Sequence, residues 1–223
     1  MSRRENISMS VIRRMPRYHR YLTDLLASGT YRISSRELAR KMGLTASQIR
    51  QDLNCFGGFG QQGYGYDVEK LHSEIGKIIG ADNNYPAVLI GCGNLGRAVA
   101  IHLLNNQTGF ELVAAFDNSP ILIGANMRGL PVLHSENLIE YCYENHPIAA
   151  FLCLPTEHAE ETVQQLYSCG VRYFWNFTHY DITLNYPDAV VENVHLTDSL
   201  MTLCYCITDG LEAETDESEG SQD

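Results

Sequence analysis

The chain has 223 residues, 44% of them hydrophobic, and a formal net charge of −11, a size that fits one or two domains of the usual about 100–200 residues. No apolar run approaches the ~18 residues needed to cross a bilayer, and the arginine-bearing start "MSRRENISMSVIRRMP" lacks the apolar stretch of a secretory signal, so the expectation is a cytoplasmic protein. The charge is divided: residues 1–50 hold 11 Lys and Arg against three acids, the remainder five against 24, as in a basic module with a polyanion partner joined to an acidic one.

From Pro16 the chain reads "PRYHRYLTDLLASG". Tyr18, Tyr21, Leu22, Leu25 and Leu26 recur at three- and four-residue spacing, which predicts an amphipathic helix stopped at Gly29. Two capping boxes follow, Ser34 with Glu37 and Thr45 with Gln48. Between them "LARKMGL" turns Leu38, Ala39 and Met42 inward and supplies Gly43 for a sharp turn. Two short helices joined in this way form a helix-turn-helix. On the second, "ASQIRQDLNCF", Ile49, Leu53 and Phe56 face inward and leave Ser47, Arg50, Gln51 and Asn54 outward, where a recognition helix keeps its reading residues. Arg suits guanine and Gln suits adenine because each can contact the base edge bidentately. A plain helical hairpin with a polar face fits the same residues, but it leaves the charge division unexplained.

The next ten residues, "GGFGQQGYGY", suit a two-stranded ribbon, the wing of a winged helix. Arg17, Gln61 and Tyr64 complete the expected DNA-contacting set. "DVEKLHSEIGKIIG" closes the domain as a helix with Val68, Leu71, Ile75, Ile78 and Ile79 inward, and 81–86 reads as a linker.

"AVLI" is a buried parallel-strand run that opens into "GCGNLG". In this G-x-G-x-x-G pattern Gly91 permits the turn, Gly93 lets backbone approach a pyrophosphate, and Gly96 allows close packing of helix on strand; Cys92, Asn94 and Leu95 complete the loop. A second strand, "ELVAAFD", ends in Asp117, 21 residues past Gly96, where a carboxylate binds adenosine ribose hydroxyls and repels a 2′-phosphate. The expected ligand is therefore NAD(H). Strand and helix then alternate (148–155, 156–170, 172–177, 189–194), which predicts a doubly wound sheet with ligands at the carboxyl ends of its strands. Pro155 and Phe177 occupy such ends; they read equally as ordinary strand exits and as the border of a nicotinamide.

A last helix, 197–208, is apolar on more than one face and is a candidate dimer element. The seven acids after Thr208 predict a disordered tail. The seven cysteines include no Cys-x-x-Cys pair and the eight histidines show no ligand spacing, so neither a metal site nor a disulfide framework is expected. The cysteines read as small buried hydrophobes. The predicted organisation is α/β: a winged helix-turn-helix DNA-binding domain over 1–82, a Rossmann-type doubly wound parallel sheet over 83–196, a dimerisation helix over 197–208 and an acidic tail over 209–223.

This combination resembles the Rex family of redox-sensing transcriptional repressors. The resemblance is carried by "RYLTDLLASGTYRISSRELA", "IRQDLNCFGGFGQQGYGYDV", "IGCGNLGRA", "FDNSPILIG" and "WNF", spread over about residues 10–207. It implies a non-enzymatic homodimer with a swapped C-terminal helix, which binds double-stranded operator DNA when NADH is scarce and leaves it when NADH binds. A twofold dimer should prefer an inverted repeat. The family's nucleotide loop falls on Gly91 to Gly96 and its ribose acid on Asp117. Three positions depart from the family pattern: Gln51 stands where a second basic residue is usual, Gln61-Gln62 where the wing commonly has a cation, and His195 where many members start the last helix with aspartate. Two other readings fit parts of the chain, an NAD-dependent oxidoreductase with a DNA-binding appendage and a winged-helix repressor that senses an acyl-CoA or a sugar. The first lacks a recognisable catalytic setting and Asp117 argues against the second.

Overall fold

Apolar side chains at helical spacing build the first of two units, Met1–Asn83, in a computed structural model that describes residues 7–219 apart from 58, 62, 63 and 107. Its elements are α1 (Met9–Ile12), α2 (Met15–Ala27), β1 (Arg32–Ile33), α3 (Ser35–Met42), α4 (Ala46–Asn54), β2 (Gly60–Gln61), β3 (Gly65–Asp67) and α5 (Val68–Ile79). Helix α2 has Pro16 in its first turn, where the missing N–H costs nothing. It buries Met15, Tyr18, Leu22 and Leu25 against Leu38, Met42, Ile49, Leu53, Leu71 and Ile75. Phe56, Ile78 and Ile79, expected inward, are only partly buried.

Ser34 forms both halves of its capping box with Glu37. The expected second box forms only half: the Thr45 hydroxyl accepts from Gln48 N at 3.1 Å, but the Gln48 amide donates to Asp52 instead. Gly43 ends α3 in the left-handed region at φ 63°, so the turn of the helix-turn-helix forms as read. The wing is a β2–β3 hairpin, and β1 joins it in the order β1-β3-β2. Gly65 sits at that junction with φ +73°, and a Cβ there would lie 2.6 Å from Ile33 O. Only glycine fits. Gln62 lies outside the described residues, as does the side chain of Gln61.

Two histidines pack between α2 and α5. The rings of His19 and His72 stack at 4.0 Å, and the His72 ring is 3.0 Å from the Thr23 hydroxyl. Burial, and next the nearby His72, lower the His19 pKa, against an opposing pull from Asp82. The unfolded chain therefore takes up this proton first. The stability from a neutral His19 is complete above the ordinary histidine value of about 6.5 and is lost as pH falls below it. Far-UV circular dichroism should show this unit melting earlier at pH 5.5 than at pH 7.5, and His19→Gln should shrink the difference. Fluorescence of Trp175, the single tryptophan, reports the other unit and should not follow it.

In the second unit, Asn84–Asp223, the elements are β4 (Tyr85–Ile90), α6 (Asn94–Asn105), β5 (Phe110–Asp117), β6 (Asn126–Met127), β7 (Leu130–His134), α7 (Leu138–Asn145), β8 (Ala149–Leu152), α8 (Ala159–Ser168), β9 (Tyr173–Asn176), α9 (Ile182–Asn185), β10 (Val190–Asn193) and α10 (Leu196–Glu219). The sheet order is β10-β9-β8-β4-β5-β7-β6. All neighbours run parallel except the terminal β6–β7 pair. This is a Rossmann-type doubly wound sheet with apolar clusters on its two faces. Strand β4 lies between β5 and β8, so connections leave it in opposite directions. A ligand crevice opens at the carboxyl ends beside such a reversal. Strand β4 already begins at Tyr85, within the expected linker.

The last helix corrects the predicted tail. Rather than ending at 208 before disorder, α10 continues to Glu219. The added stretch, "LEAETDESE", draws on Leu, Ala and Glu, all good helix formers, so a low apolar content did not prevent a helix there. Residues 220–223 lie outside the described ones. The apolar Leu200, Met201, Leu203, Tyr205 and Ile207 of α10 are all more than half exposed. The cysteines also depart from expectation: Cys92 and Cys142 are buried, but Cys204 and Cys206 are exposed and the others intermediate. Among the described residues no helix is long and apolar enough to cross a membrane, and no three His, Cys, Asp or Glu side chains gather to hold a metal.

Candidate functional site

The loop from β4 to α6 uses its three glycines differently. Gly91 has φ +90°, and a Cβ there would lie 2.5 Å from Cys153 O. Its N–H donates to Phe116 O at 2.8 Å, tying the loop to β5. A Cβ on Gly96 would lie 1.9 Å from Gly91 O, so the first turn of α6 can rest on the loop only without one. Gly93 is the N-cap of α6 at φ −63°, and a Cβ there would meet nothing within 4 Å. The fold does not require this glycine. The open space above it is what an approaching pyrophosphate needs. Helix α6 has no side-chain cap, so its first-turn amides and positive dipole can serve an anion.

Asp117 closes the other side. Its Oδ2 accepts from Cys92 N and its Oδ1 from Ser119 N, each at 2.7 Å. Two backbone donors fix the carboxylate while each oxygen keeps a lone pair for a ribose hydroxyl. Cys92 contributes through its backbone. Its thiol is fully buried and pushed up to about 11 by burial and then by Asp117, so it stays protonated at neutral pH. Cys153 is pushed up to about 12 by burial and then by Cys92. Neither is a ready nucleophile. Asn94 and Leu95 are exposed on the first turn of α6.

A cavity of about 440 Å³ brings Gly91, Asp117 and Pro155 together with Asn118, His134 and His158. Phe177 is not on it. Its ring packs edge-on to Trp175 at 4.7 Å, in the apolar cluster that includes Cys153. His134 was not among the expected cofactor-binding residues. It pairs in register with Asp117 across β5 and β7, so the two side chains end neighbouring strands; the signal was the C-terminal end of β7, a short strand interrupted by Pro131. At the root of α10, the His179 and His195 rings stack at 5.1 Å, 2° from parallel, and His195 Nδ1 is buried without a hydrogen-bond partner among the described residues.

In the first unit Ser47, Arg50, Gln51 and Asn54 lie on the outward side of α4, with Ile49, Asp52 and Leu53 buried behind them. Arg50 Nη1 donates to Ser35 Oγ at 3.2 Å. Arg17 is exposed, yet its guanidinium donates to Met42 O and lies 5.9 Å over the Tyr21 ring, so it closes the end of α3. Tyr64 on the wing is 71% exposed.

A family model described as "Putative DNA-binding protein N-terminus" matches residues 6–54, and one described as "CoA binding domain" matches residues 82–180. The redox-sensing transcriptional repressor Rex of Clostridioides difficile (strain 630) is 51% identical over 206 residues, covering 92% of this chain and 98% of the relative. Among solved structures, RSP in complex with beta-NAD+ and operator DNA is 45% identical with a TM-score of 0.84, covering 97% of this chain and 99% of that one. RSP in complex with beta-NADH is 42% identical with a TM-score of 0.85, covering 95% and 99%.

Proposed function

The chain belongs to the Rex family of redox-sensing transcriptional repressors, and from that premise we propose that it binds operator DNA as a homodimer when NADH is scarce and leaves it when NADH binds. It is a cytoplasmic repressor, not an enzyme. Residues 1–82 read DNA, 83–195 bind NAD(H), and α10, through its exposed apolar stretch over 197–208, is the swapped dimerisation helix. The observation that carries this is the pairing of Gly93, left open above an uncapped helix, with an Asp117 carboxylate already oriented by two amides. That set fits a dinucleotide, and the other unit presents four polar side chains on one outward helix face. The exposed apolar residues of α10 support a second copy as its cover.

In this reading the first-turn amides of α6 hold the pyrophosphate, and Asp117 accepts from the adenosine ribose. Its charge, with Cys92 N and Ser119 N already in place, disfavours a 2′-phosphate. NADH and NAD⁺ share everything these residues touch, so discrimination falls to the nicotinamide end. An apolar wall there disfavours the cationic oxidised ring through desolvation. Leu154 and Pro155 line the cavity and fit that task better than Phe177 as it packs here. NADH can expel DNA only by binding the non-DNA state more tightly.

Fluorescence anisotropy on a labelled inverted-repeat duplex tests the reading. NADH should release the duplex, NAD⁺ should compete with NADH without releasing it, and Asp117→Ala should bind DNA as before while ignoring NADH. Equal release by the two nucleotides would sink the redox-sensing assignment and leave DNA binding standing.

A further inference from the structure

The helix that presents Arg50 carries a carboxylate on its hidden side. Asp52 is fully buried in a core that is otherwise almost wholly apolar. Arg14, at the start of α2, meets it as a fork: Nε donates to Oδ2 and Nη2 to Oδ1, both at 2.7 Å. The hydroxyl of Tyr18, itself fully buried, donates to Oδ2 at 2.9 Å. Gln48, one turn earlier on α4, donates to Oδ1 at 2.8 Å. Four donors match the about four lone-pair sites of a carboxylate. Burial pulls the Asp52 pKa upward, but the bonds from Arg14, Gln48 and Tyr18 outweigh it and hold the group below the ordinary carboxylate range. It is ionised at neutral pH.

Such a group is a poor way to gain stability, because well-packed apolar residues of similar volume often do as well or better. What a bidentate fork supplies is geometry. Ile49 and Leu53 also anchor α4, but apolar contacts tolerate sliding and rotation that a fork does not. A rotation of α4 by about 20° would move a side-chain tip about 6 Å from its axis by about 2 Å, enough to break a base contact that needs roughly 2.7–3.2 Å.

We propose that Asp52, clamped by Arg14, Tyr18 and Gln48, is a positioning residue for operator reading: it sets the rotation of α4 about its own axis and thereby aims Ser47, Arg50, Gln51 and Asn54. The inference rests on α4 being the operator-reading helix. The same clamp accounts for the half-formed capping box, since the Gln48 side chain is held by Asp52 and does not return to the Thr45 backbone.

The test uses the full chain carrying Arg14→Met with Asp52→Leu, which leaves net charge unchanged and strands no buried ion. Its probes are a duplex selected from a random-sequence pool by the unaltered chain and a scrambled duplex of the same length. Affinity for the scrambled duplex and its salt dependence should stay within twofold. Affinity for the selected duplex should fall at least tenfold, and amides of residues 46–54 should exchange at least tenfold faster while those of 35–42 keep their rates. Gln48→Met, which removes one donor of four, should show a smaller loss of discrimination in the same direction; it decides the matter if the double variant does not fold. Full discrimination in either folded variant overturns the proposal. If the unaltered chain selects no duplex, the operator-reading role fails, and unchanged exchange in α4 then overturns the positioning role on its own.

Discussion

Gly96→Ala should abolish NADH binding, with affinity down at least a hundredfold, while operator binding survives. The new Cβ would lie 1.9 Å from Gly91 O and 3.4 Å from Cys153 Cβ. Both the loop and the first turn of α6 are backbone, so neither can yield as a flexible side chain would. The helix must lift or the loop must move, and either displaces the amides meant for the pyrophosphate. Overpacking of this kind costs about 1–3 kcal/mol, so the second unit should remain folded at 25 °C with a lowered melting temperature. Gly93→Ala is the informative partner. Its Cβ meets nothing within 4 Å, so stability should be unchanged and any loss of affinity reports the approach of the dinucleotide itself. Isothermal titration with NADH measures both. Normal NADH binding by Gly96→Ala would place the nucleotide somewhere other than this loop.

Arg50→Ala should lower operator affinity by about fivefold to 150-fold for each half-site, the equivalent of about 1–3 kcal/mol for a bidentate base contact. In a twofold dimer the loss is felt at both half-sites. Arg50 is exposed on α4, and its one hydrogen bond among the described residues, to Ser35, is easily exchanged for a base edge. Ser35→Ala should therefore change little. A scrambled duplex separates two roles: if Arg50 reads a base, the scrambled duplex is barely affected. If it touches only phosphate, both duplexes weaken alike and the salt slope falls by about 1. An intact affinity in Arg50→Ala would remove this helix from the reading surface.

Much of this site is legible in the amino-acid sequence because its signals are local. Ser34 and Glu37 define a helix start within one turn, and Gly43 ends that helix through its own backbone conformation. Gly91, Gly93, Gly96 and Asp117 are read as a nucleotide loop because each proposed role depends on spacing along the chain from a strand to a helix. The exposed face of α4 follows from helical period alone once Ile49 and Leu53 are placed inward. The division of charge needs only counting.

Other features depend on which elements come to lie opposite one another, and no local pattern encodes that. Asp52 reads as one more polar residue on a polar helix until Arg14 and Tyr18, more than thirty positions away, are brought against it. Gln48 had a good local partner in the Thr45 backbone and took a tertiary one. Strand β1 has two residues and no period; it exists because β3 passes beside it. His134 joins Asp117 only through the pairing of β5 with β7. Phe177 stands off the cavity that holds Asp117 and Pro155 because its ring finds Trp175 in the apolar cluster on that sheet face. Periodicity, caps and turns act within a few residues and can be read in order. The partners of a buried charge or an aromatic ring are set by the packing of distant segments, where burial makes every polar group find a donor or acceptor and every apolar one a neighbour.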